Sequence, residues 1–511
     1  MPVRNPASIL FIFLALCLTT GASGQTPSLG RIEFPTSGSD EAQQAFINGV
    51  LLLHSFEYDD AADAFRKAHT IEPKFGMAYW GEAMTFNHPL WAQQDLEAAE
   101  AALNGLAPTA EERSQYFPTE KEKAFHHAVE TLYGNTEASA GKSKEDRDDL
   151  YSEEMRRMYE AYPKDDEVTT FYALSILGTA HEGRDFTTYM KAASIAFQVW
   201  ERNKLHPGAA HYLIHSFDDP VHAPLGLPMA RAYSKIAPAA AHAQHMTSHI
   251  FVALGMWDDV VRANVIADSV QNARFAERGR RPSVCGHYTF WLEYGYLEQG
   301  RTDKAKSILD ACYTRMADEP NRSERSYFGS MLARYIVDTE DFDSAGNYTF
   351  DFGDERSSGC RDYDFAQAYA ALQNGRIADA SAHQIQIMEH AREEDKIGPI
   401  LSAQIDGILA LHNGELDRAI EILTSAAETE ASLPFDFGPP DPPKPGYELL
   451  GESLVELGRY QEANEAFRTQ LKRTVNRTAS LAGLRSTAKE LGDATTAAEA
   501  SAKLAAIRVD R

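Results

Sequence analysis

The chain is poor in cysteine and in basic residues, and each deficit excludes a class of protein. Only four of its 511 residues are cysteine, too few for a small scaffold that depends on disulfides. Lysine and arginine total 49 against 75 aspartates and glutamates, which gives a formal net charge of −26. Such a surface repels phosphate backbones and anionic lipid heads, so we expect neither nucleic acid nor membrane as a partner.

Several sequence motifs of known enzymes are also missing. The chain contains no glycine-rich phosphate loop of the Walker type, no dinucleotide fingerprint and no HExxH motif of zinc proteases. After Leu18, no segment approaches the roughly 20 uninterrupted apolar residues that a membrane span requires. No local motif therefore indicates a familiar reaction, and we expect no membrane insertion.

The first residues have the features of a secretory signal peptide. Arg4 supplies a positive charge, residues 9–18 are apolar, and residues 22–24 form a small-x-small cleavage site. We therefore expect residues 1–24 to be a signal peptide and residues 25–40 to be an N-terminal linker. The protein should be exported, to the periplasm or outside the cell.

Three cysteines follow the expected cleavage site, and an odd number rules out complete pairing within the chain. If residues 286–317 form a helical hairpin, Cys285 precedes its first helix and Cys312 lies late in its second. Antiparallel helices would bring these two residues within about 7 Å, so a disulfide is possible in an oxidising compartment. The alternative is that Cys285, Cys312 and Cys360 are small buried thiols.

Small and aromatic residues recur with a period of 34 residues. Positions 8, 20, 24, 27 and 32 of a frame that starts at residue 42 hold Gly49, Ala61, Phe65, Ala68 and Pro73. Positions 8, 20 and 24 of a frame near the other end of the chain hold Gly451, Ala463 and Phe467. Small residues let the two helices of a hairpin approach closely, and proline cannot continue the second helix.

This pattern resembles the tetratricopeptide repeat superfamily over nearly the whole chain after the signal peptide. The resemblance implies an all-α superhelical solenoid of roughly ten to twelve helical hairpins, here over residues 41–511. Segments that break the pattern are expected as insertions near residues 134–149, 340–362 and 433–445. The last segment is rich in proline, so we expect an extended strap between two hairpins.

Two pairs of histidines, His211 with His215 and His245 with His249, show the same period. Each pair is spaced by four residues, which places both imidazoles on one face of a helix. The second pair follows the first after 34 residues, so the pairs should occupy equivalent points of neighbouring helices. These histidine blocks also resemble those of exported bacterial tetratricopeptide proteins with no settled activity. The superfamily frame implies that the four rings line the concave surface.

Three interpretations of this cluster remain open. The first is a transition-metal site for Zn, Cu or Fe, because neutral imidazole is a good ligand for each. The second is a metal-free site for a protein, peptide or small molecule, and the third is a purely structural role. For a metal, the candidate ligands that should converge on one point are His211, His215, His245, His249 and His287. The candidate residues for ligand contact or for orienting the imidazoles are Tyr212, His54, His88, Asp218 and Glu293.

These observations predict an exported solenoid that binds an unidentified ligand in its concave groove, with a metal at the histidine cluster. One alternative is a metal-dependent enzyme, an oxidoreductase or a hydrolase, that uses the cluster. Neither histidine pair carries its own general base, because residues 212 and 246 are Tyr and Met where a zinc protease has Glu. The other alternative is a metal-free scaffold for proteins or peptides.

Overall fold

The computed structural model describes residues 29–507, and this range is almost entirely helical. It contains 24 α-helices and two short 3-10 helices, Pro89–Trp91 and Phe342–Asn347. The one sheet in the described range is an antiparallel pair of two-residue strands, β1 (Asn87–His88) and β2 (Gln93–Gln94). The prediction of an all-α fold is confirmed. The expected signal peptide lies outside the described residues.

Most of the helices form antiparallel hairpins that stack in chain order. Ten hairpins join two consecutive long helices: α1 (Asp40–His54) with α2 (Tyr58–Ile71), α6 (Glu120–Leu132) with α7 (Lys144–Ala161), α8 (Asp166–Leu177) with α9 (Phe186–Arg202), α10 (Pro207–Phe217) with α11 (Ala223–Ile236), α12 (Ala241–Ala253) with α13 (Trp257–Glu277), α14 (His287–Glu298) with α15 (Thr302–Met316), α17 (Ser358–Gln373) with α18 (Ile377–His390), α19 (Gly398–His412) with α20 (Leu416–Ser432), α21 (Gly446–Glu456) with α22 (Tyr460–Arg473), and α23 (Thr478–Glu490) with α24 (Ala494–Ile507). The remaining helices are α3 (Gly76–Met84), α4 (Leu96–Asn104), α5 (Ala110–Ser114) and α16 (Arg322–Thr339). The stack is a superhelical solenoid, as predicted.

The packing inside the hairpins explains the periodic small residues. A Cβ atom added to Gly49 would lie 2.6 Å from Cε1 of Phe65, the aromatic residue of the same unit. The same relationship returns near the end of the chain, where a Cβ on Gly451 would lie 2.8 Å from Cε1 of Phe467. Any larger residue at these positions would push the two helices of its hairpin apart.

Three segments interrupt the regular stack. The polar stretch after Gly134 is irregular only to Ser143, whose side chain accepts a hydrogen bond from the backbone of Asp146 and so begins α7. The insertion expected at 134–149 is therefore shorter than its polar composition indicated. Residues 340–357 contain only the short 3-10 helix, and residues 433–445 contain no helix. We call residues 433–445 the strap.

Residues 29–39, the described part of the expected linker, form no helix but pack against the first hairpins. The side chain of Phe34 is buried, and its ring centroid lies 5.3 Å from that of Phe46 and 5.2 Å from that of Phe125. Among residues 29–507, no helix is both long enough and apolar enough to cross a bilayer.

Cys285 and Cys312 form a disulfide that links the start of α14 to the later part of α15. Their Cα atoms are 4.7 Å apart, which confirms the proximity predicted from the helical frame. Cys360 is a buried free thiol, and burial raises its pKa to about 11. At neutral pH it is therefore protonated and a poor nucleophile.

Candidate metal centre

Six histidines from α10, α12 and the start of α14 form one continuous group of imidazole rings, which we call the histidine cluster. Its members are His211, His215, His242, His245, His249 and His287. Neighbouring ring centroids within it are 4.4 to 5.9 Å apart. Five of the six residues are at most 7% exposed, and only His287 is partly exposed. The pairs predicted from the 34-residue spacing do lie side by side in the solenoid.

The cluster is divided into two sets of three. We call His211, His215 and His242 the first triad, and His245, His249 and His287 the second triad. Within each triad, one ring nitrogen of every residue lies within 4.8 Å of a ring nitrogen of the other two. The four histidines predicted to meet at one point therefore do not form a single group. Each pair extends along its own helix, and the third member of each triad comes from the first helix of the following hairpin.

In the first triad, three ring nitrogens lack the hydrogen bonds that buried polar atoms normally make. The Nε2 atoms of His211, His215 and His242 are buried and have no hydrogen-bond partner among residues 29–507. His211 donates from Nδ1 to the carbonyl oxygen of His54 at 2.7 Å, so Nε2 of the neutral ring carries a lone pair. A buried polar atom without a partner costs about 1–3 kcal/mol. A bound metal ion would remove that cost.

In the second triad, the hydrogen-bond partners determine which nitrogen carries the proton. His249 donates from Nδ1 to Asp218 at 2.8 Å, and His245 donates from Nδ1 to Oδ1 of Asn264 at 2.7 Å. The Asn264 amide nitrogen donates to the Val260 carbonyl, which fixes the amide oxygen toward His245. Both Nε2 atoms are therefore unprotonated in neutral rings.

These two unprotonated nitrogens, Nε2 of His245 and Nε2 of His249, are only 3.2 Å apart. Two lone pairs at that distance repel each other, because neither ring has a proton to offer. Two imidazoles bound to one tetrahedral ion at ~2.0–2.1 Å would place their nitrogens about 3.3 Å apart. The observed separation therefore matches that of two ligands that share a metal ion.

Burial favours the neutral form of five of the six histidines in the cluster. It lowers the pKa of His211, His242 and His245 well below the usual value, and neighbouring imidazoles lower them further. Burial also lowers the pKa of His287 to about 3. It lowers the pKa of His249 to about 4, although the hydrogen bond to Asp218 opposes this. The neutral form that binds metal ions is therefore the dominant form at neutral pH.

Asp218 contacts one histidine of each triad. Its Oδ2 atom lies 2.8 Å from Nδ1 of His249 and 3.4 Å from Nδ1 of His215, while Oδ1 pairs with the buried guanidinium of Arg184. Although burial opposes it, Arg184 and the two imidazoles hold the pKa of Asp218 below its usual range. Such a carboxylate orients imidazoles and increases their basicity as metal ligands.

A second buried group lies behind the first triad. His54 and His206 both contact Glu167, at 2.8 Å and 3.2 Å, and the Tyr212 hydroxyl lies 2.9 Å from Nδ1 of His54. Both ring nitrogens of His54 thus have partners, so this group is a hydrogen-bonded support and offers no free ligand atom on His54. Sequence reasoning placed His54 and Tyr212 near the cluster but did not identify Glu167, which has no motif of its own.

His242 was another omission, although it stands three residues before His245 and hence on nearly the same helix face. His242 was not among the metal ligands predicted from the sequence. His206 precedes His211 by five residues and caps α10, where its Nδ1 accepts a hydrogen bond from the backbone of Ala209. Both residues lie in the stretch from His206 to His249, which holds seven of the chain's 17 histidines, so local enrichment was the available indication.

Two predicted residues lie away from the triads. His88 was placed on a helix by the repeat frame, but α3 ends at Met84 and His88 belongs to β1. Its ring stacks on Tyr58, with centroids 3.9 Å apart, and it is in neither triad. The chain turns back at this point to form the small β-hairpin, which is why the helical frame fails here.

Glu293 also fails to join the histidines. It follows His287 by six residues, so its side chain lies about 120° from that of His287 around α14. Its carboxylate is fully buried, with no hydrogen-bond partner for either oxygen among the described residues. Burial raises its pKa well above the usual value, and the charge of Arg334 only partly offsets this.

The strap packs against the histidine cluster. The ring of Phe437 stacks on that of His249 with centroids 5.0 Å apart, and Arg334 donates to the carbonyl oxygens of Pro443 and Pro440. Next to the strap lies a cavity of about 600 Å³. Its lining includes His287, Trp291, Tyr327, Arg334, Phe437 and Asp441. The cluster thus meets this cavity at His287.

No family model matches the chain, and no curated protein matches it. Among solved structures, Cut9 in the APC/C hetero-tetramer Cut9–Hcn1 is 12% identical, with a TM-score of 0.36 over 94% of this chain and 76% of that one. Human IFIT1, solved with m7Gppp-AAAA, is 13% identical, with a TM-score of 0.34 over 93% and 91%. Yeast Tom70 is 12% identical, with a TM-score of 0.34 over 90% and 96%. The chain folds as a solenoid of stacked helical hairpins, the architecture that the resemblance to tetratricopeptide repeats predicts.

Proposed function

We propose that this solenoid binds a transition-metal ion through its histidine cluster, with the first triad as its principal site. The observation that carries the proposal is the three buried Nε2 atoms of His211, His215 and His242, which have no hydrogen-bond partner among residues 29–507. A structural role would require these nitrogens to be satisfied, because unpaired buried polar atoms are rare in folded proteins. Neutral, converging imidazoles are instead the usual ligands of a transition metal.

The donor set favours zinc or copper over iron. Each triad offers three imidazole nitrogens, an arrangement typical of zinc and copper sites, whereas non-haem iron usually has two histidines and a carboxylate. The available carboxylate, Asp218, is paired with Arg184 and accepts a hydrogen bond from His249. Asp218 is thus occupied in orienting the ligands and is a poor candidate for a ligand itself.

We further propose that the protein acts outside the cytoplasm as a binding protein whose ligand occupies the concave groove. The expected signal peptide and the Cys285–Cys312 disulfide both suit an oxidising compartment. The cavity beside the strap has a volume of about 600 Å³, a size that suits a small molecule or a short peptide segment. His287, one member of the histidine cluster, lines this cavity.

The test is elemental analysis of protein purified without a histidine tag and then loaded with zinc or copper. The double variant His211→Ala/His245→Ala removes one ligand from each triad, and His412→Ala, an exposed histidine of α19, is the matched control. We expect wild type and His412→Ala to retain metal after dialysis, and the double variant to retain none while its circular dichroism stays helical.

Two outcomes would contradict the proposal. Wild-type protein that retains no metal would leave the metal-free scaffold as the better function. A double variant that unfolds, from a parent that binds no metal, would indicate that the histidines are interior hydrogen-bonding groups that tie the repeats together.

A further inference from the structure

We infer that His245, His249 and His287 form a second metal site, separate from the first triad, and that only this second site has a coordination position open to the groove. The inference rests on the proposed function, because it takes metal binding at the cluster as its starting point. Beyond the proposed function, we infer that each chain binds two ions and that an exogenous ligand can reach only the ion at the second triad.

The two triads have separate donor sets. The ring nitrogens of each triad approach within 4.8 Å of one another, and among residues 29–507 no group of this kind combines histidines from both triads without Asp218. That mixed group, His215 with Asp218 and His249, offers a poorer site. The Nδ1 atom of His249 already donates to the carboxylate, which is also paired with Arg184. In this arrangement Asp218 supports one ligand of each site from behind and remains outside both.

Every histidine of the second triad has an oxygen partner at Nδ1. The partners are Asn264 for His245 at 2.7 Å, Asp218 for His249 at 2.8 Å and the Tyr327 hydroxyl for His287 at 3.1 Å. Fixed orientation of ligand rings by such partners is typical of metal sites. The Nε2 atoms of His245 and His249 face each other at 3.2 Å, close to the ~3.3 Å expected for two ligands of a tetrahedral ion. The second triad thus has a geometry of its own that suits an ion.

The two sites differ in their surroundings. The ring of Phe56 covers the first triad, with centroids 4.3, 6.0 and 5.6 Å from those of His211, His215 and His242. In the second triad, His287 is partly exposed and lines the cavity of about 600 Å³ next to the strap. Trp291 packs on the second triad in the same way, with centroids 4.7, 4.5 and 5.7 Å from those of His245, His249 and His287. The difference between the sites is therefore that His287 lines the cavity, whereas no residue of the first triad does.

Three imidazoles leave a fourth position on a tetrahedral zinc, cobalt or copper ion. At the second site that position would face the cavity, so a small oxygen or nitrogen donor could reach the ion from the groove. Suitable ligands are water, an inorganic anion, or a carboxylate or amine of a larger molecule held in the cavity. The cavity wall carries three arginines and three aspartates, so its charge alone does not select among these ligands.

The experiment uses cobalt(II) as a spectroscopic probe and azide as a small anionic donor. The untagged full chain is loaded with cobalt, and the bound metal is counted by elemental analysis for wild type, His242→Ala, His287→Ala and the control His412→Ala. We expect two ions in wild type and in the control, and one in each triad variant. Azide should shift the visible bands of His242→Ala, in which the second site remains, and leave those of His287→Ala unchanged.

Each other result has a definite meaning. One ion in wild type would overturn the second site while leaving the proposed function intact, and no ion would overturn both. Equal azide shifts in the two variants would overturn the difference in access. If His287→Ala failed to fold, His287→Gln would replace it, and the wild-type ion count would still decide the number of sites.

Discussion

Nδ1 of His249 donates a hydrogen bond of 2.8 Å to Asp218, whose carboxylate is itself paired with the buried guanidinium of Arg184. Because Asp218 accepts this hydrogen bond, Nε2 of His249 is left unprotonated in the neutral ring. One buried carboxylate thereby determines which nitrogen of His249 carries the proton, and it is not itself a candidate ligand.

Asp218→Asn should weaken metal binding without removing either site. The asparagine keeps the shape but loses the charge that makes the imidazole of His249 more basic, so we expect a 10- to 100-fold loss of affinity. Competition against a chromophoric chelator would measure it, with Asp406→Asn, an exposed aspartate of α19, as the control. Unchanged affinity would show that Asp218 serves the fold alone.

Gly438→Ala should loosen the strap. Gly438 has a φ of +101°, and a Cβ there would lie 2.5 Å from Cζ2 of Trp291. The added strain and clash should lower the free energy of unfolding by about 1–3 kcal/mol, as measured by urea denaturation. The control is Gly279→Ala, which has a φ of +65° and no atom within 4 Å of its Cβ. An equal loss in both variants would mean that backbone strain alone is responsible and that contact with Trp291 is unimportant.

Glu430 should make stability depend on pH near neutrality. Burial raises its pKa from 4.5 to about 7, so the folded state holds a proton that the unfolded chain releases. Its contribution is therefore fully present below pH 4.5 and is lost as the pH rises through 7, with a total of about 3 kcal/mol.

Glu430→Gln would test this dependence. The free energy of unfolding of wild type, measured between pH 5 and 8, should fall relative to that of the variant as the pH rises. Glu428→Gln, an exposed position of the same helix, should follow wild type. Parallel profiles for wild type and Glu430→Gln would contradict the raised pKa.

Reduction of the Cys285–Cys312 disulfide should destabilise the middle of the solenoid. The bond closes a loop with a sequence separation of 27 residues, which corresponds to about 3–4 kcal/mol in the chain-entropy model. Unfolding in urea with and without a thiol reductant would measure the loss. Cys285→Ser should show the same loss and no further response to reductant. A wild-type protein that is indifferent to reductant would contradict the estimate.

The fold could be predicted from the sequence because the same close contact between a glycine and an aromatic ring recurs in different units. Gly49 with Phe65 and Gly451 with Phe467 show the same close approach, so a frame defined at one end of the chain also held at the other. The frame failed at His88, because the β-hairpin after Met84 depends on contacts specific to that site. Periodicity carries no information about such local departures.

The site was only partly predictable. Spacing identified His211, His215, His245 and His249, because residues at equivalent positions of successive hairpins are separated by the length of the repeat. Spacing could not divide them into triads, because the division depends on which ring from the following hairpin lies closest to each pair. Glu167 and Asn264 left no pattern in the sequence, because a single hydrogen-bonding residue needs no partner at a fixed spacing.

The strap has a consequence for any attempt to transplant this centre into another protein. Phe437 packs on His249, although the two residues are separated by almost two hundred positions in the chain. The carbonyl oxygen of His54, in the first helix, accepts a hydrogen bond from Nδ1 of His211. A fragment that contained α10 to α12 alone would carry five of the six imidazoles and lack both of these contacts. Grafting the site would therefore require the intervening hairpins as well. Duplication of one repeat could copy a pair of histidines, but it would not copy these two contacts.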